Sequence, residues 1–415
     1  MRLFTKRFTK YTISTLLLIA FFSACTPLDD YLLKAMVTES QVTPVVVYDP
    51  DRSPPATLPP VSTSTALPVE ELRATLTPIA TFTPKVTPPI IGVITFPENF
   101  NPLTGLEVAN PEVLNRRPLI VKIANYPRFG RPHAGLSKAD IVFDYYIGYG
   151  ENRLAALYYG EDVEQVGPMR SGRWIDGELG RLYQAVVFYR NVDPEVNKGI
   201  EEKLGDRGIW YAECPPICDV GSFSVASSFG NTFDMETYLV EQGINNDQQN
   251  LSGMVFDPRI PENAPLALQV GIQFGVEDRA EWRYDPVSGS YLRWIEASAS
   301  QPENVIPLVD RNSGAQLAFA NVIVIIAEYT EVTPALHEID LWGNSNGQPA
   351  YFFRDGVVVE GSWRVADTDR PIQFNDQYGR SMGLKPGNSW IVILDSNSTL
   401  VIDPAGQWEI QFQLD

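Results

Sequence analysis

The sequence predicts an α+β protein, with an N-terminal mixed α/β sheet domain followed by a mostly antiparallel β domain. Between residues 97 and 262, short apolar runs rich in β-branched residues alternate with helix-like segments, which favours a mixed sheet. Beyond residue 262, apolar and polar residues alternate around Asp-Gly and Asn-Ser turns, which is typical of antiparallel hairpins. The two patterns predict domains at residues 97–262 and 263–415.

The chain begins with a pattern typical of a bacterial lipoprotein signal peptide. A basic start precedes the apolar run 13–24, which is short for a membrane span and ends in Phe22-Ser23-Ala24-Cys25. Small residues before a cysteine resemble a lipobox, so we expect residues 1–25 to be the signal peptide and Cys25 to be lipidated. The alternatives are an ordinary signal peptide with an incidental cysteine, or an uncleaved anchor. Acyl chains on Cys25 would hold the protein at the extracytoplasmic face of the cell membrane.

Residues 26–96 form a stretch rich in proline, threonine and serine, without apolar periodicity. Proline removes backbone donors and favours extended polyproline II. We therefore expect a semi-rigid stalk between the anchor and the folded domains.

The first domain contains strand-like and helix-like segments in alternation. Gly148 to Asn152 separates two β-rich runs and predicts a hairpin, and Ser171 is the expected N-cap of the first helix. The expected strands are 118–124, 140–146, 153–159 and 184–190, and the expected helices are 171–184, 194–205 and 235–250. In the second domain we expect a long central strand at 320–330 and hairpins at 281–295, 351–365 and 388–402.

Composition excludes some classes of function. The chain has 32 basic and 51 acidic residues and a net charge of −19, which disfavours sequence-independent nucleic-acid binding. It has only two histidines, so we expect no metal site, and we expect no cofactor. Zinc-protease, Walker and dinucleotide-binding motifs do not occur in the sequence.

Arginines nevertheless concentrate between residues 116 and 173, where they point to an anion site. Arg170 and Arg173 flank the expected helix N-terminus, where backbone N–H groups would assist in binding a phosphate or carboxylate. The predicted anion-binding residues are Arg117, Arg153, Arg170, Arg173 and Asp140, with Arg131 and Asp144 nearby in sequence. The alternative is a structural ion-pair network with Asp140, Asp144, Glu151 and Asp176.

Three further groups of residues have two interpretations each. His133, in the loop RPHAGLS, could work as a general acid or base but has no nucleophile motif around it, and His337 is expected to be a packing residue. Asp140 and Asp144 fall on one face of a strand, which would permit a carboxylate pair, although pairing with arginines is the preferred interpretation. Cys214 and Cys218 are expected to form a local disulfide rather than remain free thiols.

Several segments resemble the YerB-like bacterial lipoprotein family, whose domain is labelled DUF3048. They include NPLTGL, RRPLIVKIANYP, RPHAGLSKADIVFDYY and VGPMRSGR in the first half, and YFFRDGVVVEGSWRV and LKPGNSWIVI in the second. The resemblance implies a cell-surface lipoprotein with two adjoining modules and implies no activity. His133 stands where the family tends to have glutamine, which argues against a shared catalytic histidine.

Two functional hypotheses follow. The first is a non-enzymatic, membrane-anchored binding or assembly factor, whose arginine-lined cleft holds an anionic cell-envelope polymer or an envelope protein. The second is an enzyme acting on phosphorylated or carboxylated envelope glycans, with Arg170 and Arg173 clamping the anion and Asp140 or Glu151 as the base. An enzyme should place a carboxylate of raised pKa beside the arginines.

Overall fold

The structure is a computed structural model that describes residues 89–93, 95–221, 224–342 and 346–414. In chain order its strands are β1 (Phe100–Asn101), β2 (Leu106–Glu107), β3 (Leu119–Ala124), β4 (Ile141–Gly148), β5 (Glu151–Tyr158), β6 (Val186–Phe188), β7 (Gly208–Ile209), β8 (Ile217–Asp219), β9 (Ser228–Gly230), β10 (Val255–Phe256), β11 (Gln269–Gln273), β12 (Ala280–Asp285), β13 (Ser290–Ser298), β14 (Gln301–Pro307), β15 (Ala318–Phe319), β16 (Asn321–Thr333), β17 (Leu336–Asp340), β18 (Gln348–Arg354), β19 (Val357–Arg364), β20 (Gln373–Asp376), β21 (Gly383–Leu384), β22 (Ser389–Asp395), β23 (Thr399–Asp403) and β24 (Gln407–Gln411). The described α-helices are α1 (Trp174–Leu182), α2 (Pro194–Leu204) and α3 (Thr232–Gln242). The fold is therefore mostly β.

An 11-stranded sheet forms the centre of the molecule. Its strand order is β20-β19-β18-β16-β22-β4-β5-β3-β6-β7, and β17 pairs with β16. Strand β22 lies between β16 and β4 and is parallel to both. Strands from both sides of the predicted boundary at residue 262 therefore share one sheet, and the ranges 97–262 and 263–415 do not divide the molecule into separate sheets.

The predicted hairpin at 388–402 is wrong. Strand β22 belongs to the 11-stranded sheet, whereas β23 pairs with β24 in a different, 7-stranded sheet. All seven residues of β22 are buried, because the strand is covered on both faces and flanked on both edges. An uninterrupted apolar strand of this kind is typical of parallel pairing inside a sheet. The second domain was predicted to be mostly antiparallel, but its central strand β22 pairs in parallel with both neighbours.

The 7-stranded sheet packs against one face of the 11-stranded sheet. Its strand order is β14-β13-β12-β11-β24-β23, with β15 paired to β13. Trp282 of β12 and Trp390 of β22 meet edge to face, with ring centroids 5.8 Å apart, and both are fully buried. Such aromatic pairs bury a large apolar area in a preferred geometry. This contact joins the two sheets into one core.

The helices lie beside β6 and β7 and cover the opposite face. Helix α2 and its terminating Gly205 confirm the prediction for that segment, and the hairpin β4–β5 is confirmed as well. Helix α1 begins at Trp174, with Arg173 rather than Ser171 at the N-cap. Helix α3 begins and ends earlier than predicted, because Asn231 caps its start and Gly243 adopts the left-handed conformation after Gln242.

The predicted signal peptide with Cys25 and most of the predicted stalk lie outside the described residues. The end of the predicted stalk belongs to the fold, since the Ile91 amide donates to the Phe256 carbonyl at 2.8 Å. Within the described part of the chain, no helix has the length and apolar character needed to cross a membrane.

Candidate functional site

Three of the predicted arginines converge where β5, β3 and the start of α1 meet. Arg153 lies in β5 opposite Tyr145 of β4 and Ala124 of β3. Arg170 runs beside β3, with its amide donating to the Lys122 carbonyl at 3.0 Å. Arg173 precedes α1 directly. We call Arg153, Arg170 and Arg173 the arginine cluster.

The arginine cluster is buried to an extent unusual for unpaired charges. Arg153 is 4% exposed, and its Nε and Nη1 atoms are buried without a hydrogen-bond partner among the described residues. The Nε atoms of Arg170 and Arg173 are likewise buried and have no hydrogen-bond partner among the described residues. Arg170 and Arg173 are both partly exposed, so the cluster is open to solvent on their side. Buried charged groups are normally paired, so these donors indicate a place for an anion.

Electrostatics within the arginine cluster are unfavourable in the absence of an anion. Burial, together with repulsion from Arg173 and Arg170, lowers the pKa of Arg153 to about 9. Burial also lowers the pKa of Arg170 and of Arg173. Glu151 attracts Arg153 and Arg170, but none of the three guanidiniums forms an ion pair with a carboxylate of the described residues. A bound anion would offset both the burial and the repulsion.

A buried triad lies beneath the arginine cluster. Lys122, Tyr145 and Asp176 are each 0% exposed. The Lys122 Nζ lies 3.3 Å from Asp176 Oδ1 and donates to the Tyr145 hydroxyl, which itself donates to Asp176 Oδ1. Asp176 Oδ2 accepts from the Arg173 amide at 2.7 Å. Both oxygens of Asp176 are therefore engaged, and burial lowers the pKa of Lys122 to about 7.

The sequence signal for this triad is a lysine inside the apolar strand LIVKIA, and Lys122 was not among the predicted site residues. The backbone N–H groups also contribute less to the site than predicted. The Gly172 amide donates to the Asn191 carbonyl at 3.3 Å, and the Arg173 amide is held by Asp176. Arg173 Nη1 donates to the Gly172 carbonyl at 3.0 Å, and the remaining guanidinium nitrogens, rather than the amides before α1, supply the free donors of the site.

Arg117 does not belong to the arginine cluster. It precedes the start of β3, whereas Arg153 pairs with the end of that strand, about 20 Å further along at roughly 3.3 Å per residue. Its Nε and Nη2 donate to the Asn245 carbonyl and side-chain oxygens at 3.0 and 2.8 Å, and Nη1 donates to the Gln184 carbonyl at 2.6 Å. Arg117 is therefore a structural residue that joins three segments.

Asp140 also lies elsewhere, at the opposite end of β4. It accepts from the Tyr159 amide at 2.6 Å, the Gly160 amide at 3.1 Å and the Asn101 side chain at 2.7 Å. Burial raises its pKa to about 6. The predicted five-residue site is thus corrected to three arginines, because Arg117 and Asp140 have full sets of partners far from the others.

Arg131, Asp144 and His133 occupy the other face of the sheet, toward the 7-stranded sheet. Arg131 Nη1 donates to Glu296 Oε1 at 2.7 Å, and Asp144 accepts from Trp390 Nε1 at 3.1 Å. Asp144 and Asp140 are separated by four residues of extended chain, about 13 Å, which is too far for a glycosidase pair. Burial lowers the pKa of His133 to about 3, so the ring is neutral and enclosed.

His337 is buried, as expected of a packing residue, and its ring meets that of Tyr146 edge to face. Cys214 and Cys218 are joined by a disulfide that closes a short loop after β7. Among residues 89–93, 95–221, 224–342 and 346–414, no group of three or more His, Cys, Asp or Glu side chains is arranged to hold a metal ion.

A cleft of about 600 Å³ lies between α1, α2, β16 and β17, but none of the arginine cluster lines it. Its walls carry two tryptophans, two lysines and six carboxylates, which are Glu178, Glu195, Glu202, Glu328, Glu338 and Asp340. The excess of negative charge makes this cleft unsuitable for an anion. The arginine cluster remains the better candidate site.

Comparison with known proteins agrees with the fold and with the segments described above. Residues 103–209 match the family model described as "Protein of unknown function (DUF3048) N-terminal domain", and residues 270–391 match the corresponding C-terminal domain. The two ranges together cover more than half of the chain. The chain therefore belongs to the DUF3048 family, as its segments predicted.

A relative in Bacillus subtilis (strain 168) is YerB, a protein classed by its name as a lipoprotein. It is 26% identical to this chain over 306 residues, which cover 71% of this chain and 85% of YerB. The crystal structure of Bacillus subtilis YerB superposes with a TM-score of 0.59 at 23% identity and covers 75% of this chain and 99% of that one. The two proteins share a fold.

Proposed function

We propose that this protein is a lipid-anchored, extracytoplasmic binding protein of the cell envelope, whose arginine cluster holds an anionic group of a wall component or partner. One observation supports the site above all: a guanidinium that is 4% exposed keeps two buried nitrogen atoms without a partner among the described residues, beside two further arginines. Folding places three positive charges together at an energetic cost, which is expected where binding offsets that cost.

The lipid anchor rests on the signal-peptide pattern ending at Cys25 and on the lipoprotein name of YerB. Its test is metabolic labelling with radioactive palmitate in a bacterial host, comparing the wild type with Cys25→Ser. We expect label in the wild type and none in the variant. Equal labelling of both would contradict lipidation at Cys25.

A binding protein is favoured over an enzyme by the position of the carboxylates. Asp140, the proposed base, is held by amides at the far end of β4, and Asp176 is engaged by Lys122, Tyr145 and Arg173. Glu151 lies at the start of β5, near enough to act on Arg170 electrostatically. Of the two bases named in the enzyme hypothesis, the geometry therefore still permits Glu151.

The anion site is tested by isothermal titration calorimetry with inorganic phosphate and D-glucuronate as probes. We expect at least one probe to bind the wild type and to bind Arg153→Met at least about tenfold more weakly, a loss of about 1.4 kcal/mol. Arg380→Met is the matched control, because Arg380 is 74% exposed in its side chain and pairs with Asp376. Equal heats of probe binding for the wild type and Arg153→Met would refute the proposed site.

A further inference from the structure

The arrangement of donors in the arginine cluster bears on the chemistry of the ligand. Four buried nitrogens without partners in the described chain come from three segments: two from β5, one from the segment beside β3, and one from the residue before α1. A carboxylate presents two oxygens in one plane. A phosphomonoester presents three terminal oxygens around its P–O axis and accepts donors that arrive from several sides.

The charge of the arginine cluster also favours a phosphomonoester over a carboxylate. Its three guanidiniums, together with the neighbouring Glu151, give a net charge of +2 around the opening. The Lys122–Asp176 pair beneath balances itself when the lysine is protonated. In a partly buried site an uncompensated charge is costly, so a dianion neutralises the cluster where a monoanion leaves excess positive charge.

We propose that the arginine cluster selects a phosphomonoester dianion over carboxylates and over phosphodiesters, an inference that rests on the anion site proposed above. A phosphodiester carries a single negative charge and only two terminal oxygens, so it satisfies fewer donors and leaves more positive charge. Arginine's planar fork suits phosphate oxygens, and three such forks around one group give both charge and geometry.

The experiment is a calorimetric titration of the full chain at about pH 7, where a phosphomonoester of second pKa about 6 is mostly a dianion and much of Lys122, with a pKa of about 7, is still protonated. The probes are methyl phosphate, dimethyl phosphate and acetate. We expect methyl phosphate to bind at least about tenfold more tightly than either of the others, equivalent to about 1.4 kcal/mol. At about pH 5 methyl phosphate becomes a monoanion, and its advantage over dimethyl phosphate should largely disappear.

The outcomes separate the two proposals. If acetate or dimethyl phosphate binds as tightly as methyl phosphate, the selectivity is refuted and the anion site stands. If none of the probes binds, both proposals fail. Arg153→Lys retains the charge but removes the fork, so we expect it to lose most of the preference for methyl phosphate, while Arg380→Met keeps it. Circular dichroism of each variant verifies that the fold is intact.

The same chemistry occurs on soluble or polymer-borne phosphomonoesters and on the lipid phosphatidic acid. A titration with dihexanoyl phosphatidic acid below its micelle concentration distinguishes these sources. Tighter binding than methyl phosphate identifies a lipid head group, and equal binding identifies a soluble or polymer-borne ester. Both results support a dianion site, whereas weaker binding of both monoesters than of acetate overturns it.

Discussion

Lys122 should make the stability of this protein depend on pH in a way that a single substitution removes. Lys122 is fully buried and lies 3.3 Å from Asp176. Replacing it with methionine preserves the apolar stem and deletes the charge. Asp176 keeps the Tyr145 hydroxyl and the Arg173 amide as donors, so the substitution does not leave the carboxylate bare.

The magnitude follows from the two pKa values of the lysine. Burial lowers its pKa from 10.5 to about 7 in the folded protein. Between these values the unfolded chain holds more protons than the folded one, so the free energy of unfolding rises with pH. At about 1.4 kcal/mol per pKa unit, the full penalty is about 5 kcal/mol below pH 7, and about 2 kcal/mol of it is recovered between pH 7 and pH 9.

The assay is urea denaturation of the wild type and Lys122→Met at a series of pH values from about 6 to 9. The stability difference between the variant and the wild type should be greatest at the acid end and shrink by about 2 kcal/mol toward pH 9. Lys198→Met is the control, since the Lys198 side chain is 70% exposed. Parallel curves for wild type and Lys122→Met would show that the lysine is not held neutral by burial, and the reasoning would be refuted.

Three further predictions concern other parts of the structure. Arg153→Met should raise the free energy of unfolding by about 1 kcal/mol, because it removes a buried charge, whereas Arg117→Met should lower it by about 3 kcal/mol through lost hydrogen bonds. Urea denaturation measures both changes. If the two changes had the same sign, the assignment of Arg117 to structure and of Arg153 to binding would be contradicted. Reducing the Cys214–Cys218 disulfide, which spans four positions, should cost about 2 kcal/mol in the same assay, and no change would show that the loop is equally ordered without it. Gly148→Ala should lower the free energy of unfolding by about 3 kcal/mol or more, because Gly148 has φ 112° and a Cβ would lie 2.1 Å from a facing carbonyl oxygen. The measurement is the melting temperature, which should fall. An unchanged melting temperature would exclude this close approach.

Local features of the fold were readable from the sequence. The β4–β5 hairpin was visible because a glycine-flanked turn separates two β-rich runs, and α2 was visible because proline and glycine mark its two ends. These signals act over a few residues. The start of α1 was misplaced because Ser171 is a better cap by residue type, whereas the Arg173 amide is held by Asp176 three residues later.

Long-range pairing was not readable in the same way. The segment 388–402 has the local pattern of a hairpin, yet its two strands belong to different sheets, because β22 gains two parallel neighbours that no turn signal announces. The arginines show the same limit. Arg117 and Arg153 look alike in sequence, and their difference arises from oxygens at positions 184 and 245, which approach only one of them.

The position of β22 between β16 and β4 also affects how the protein is made. Strand β4 ends at Gly148 and β22 begins at Ser389, so synthesis of the intervening chain takes on the order of ten to fifty seconds. Throughout that interval β4, which is apolar apart from Asp144 and its tyrosine hydroxyls, has an open edge that can pair with another nascent chain. The edge of β4 is thus covered by a strand made about 240 residues later, and a message truncated before Ser389 would leave that edge exposed.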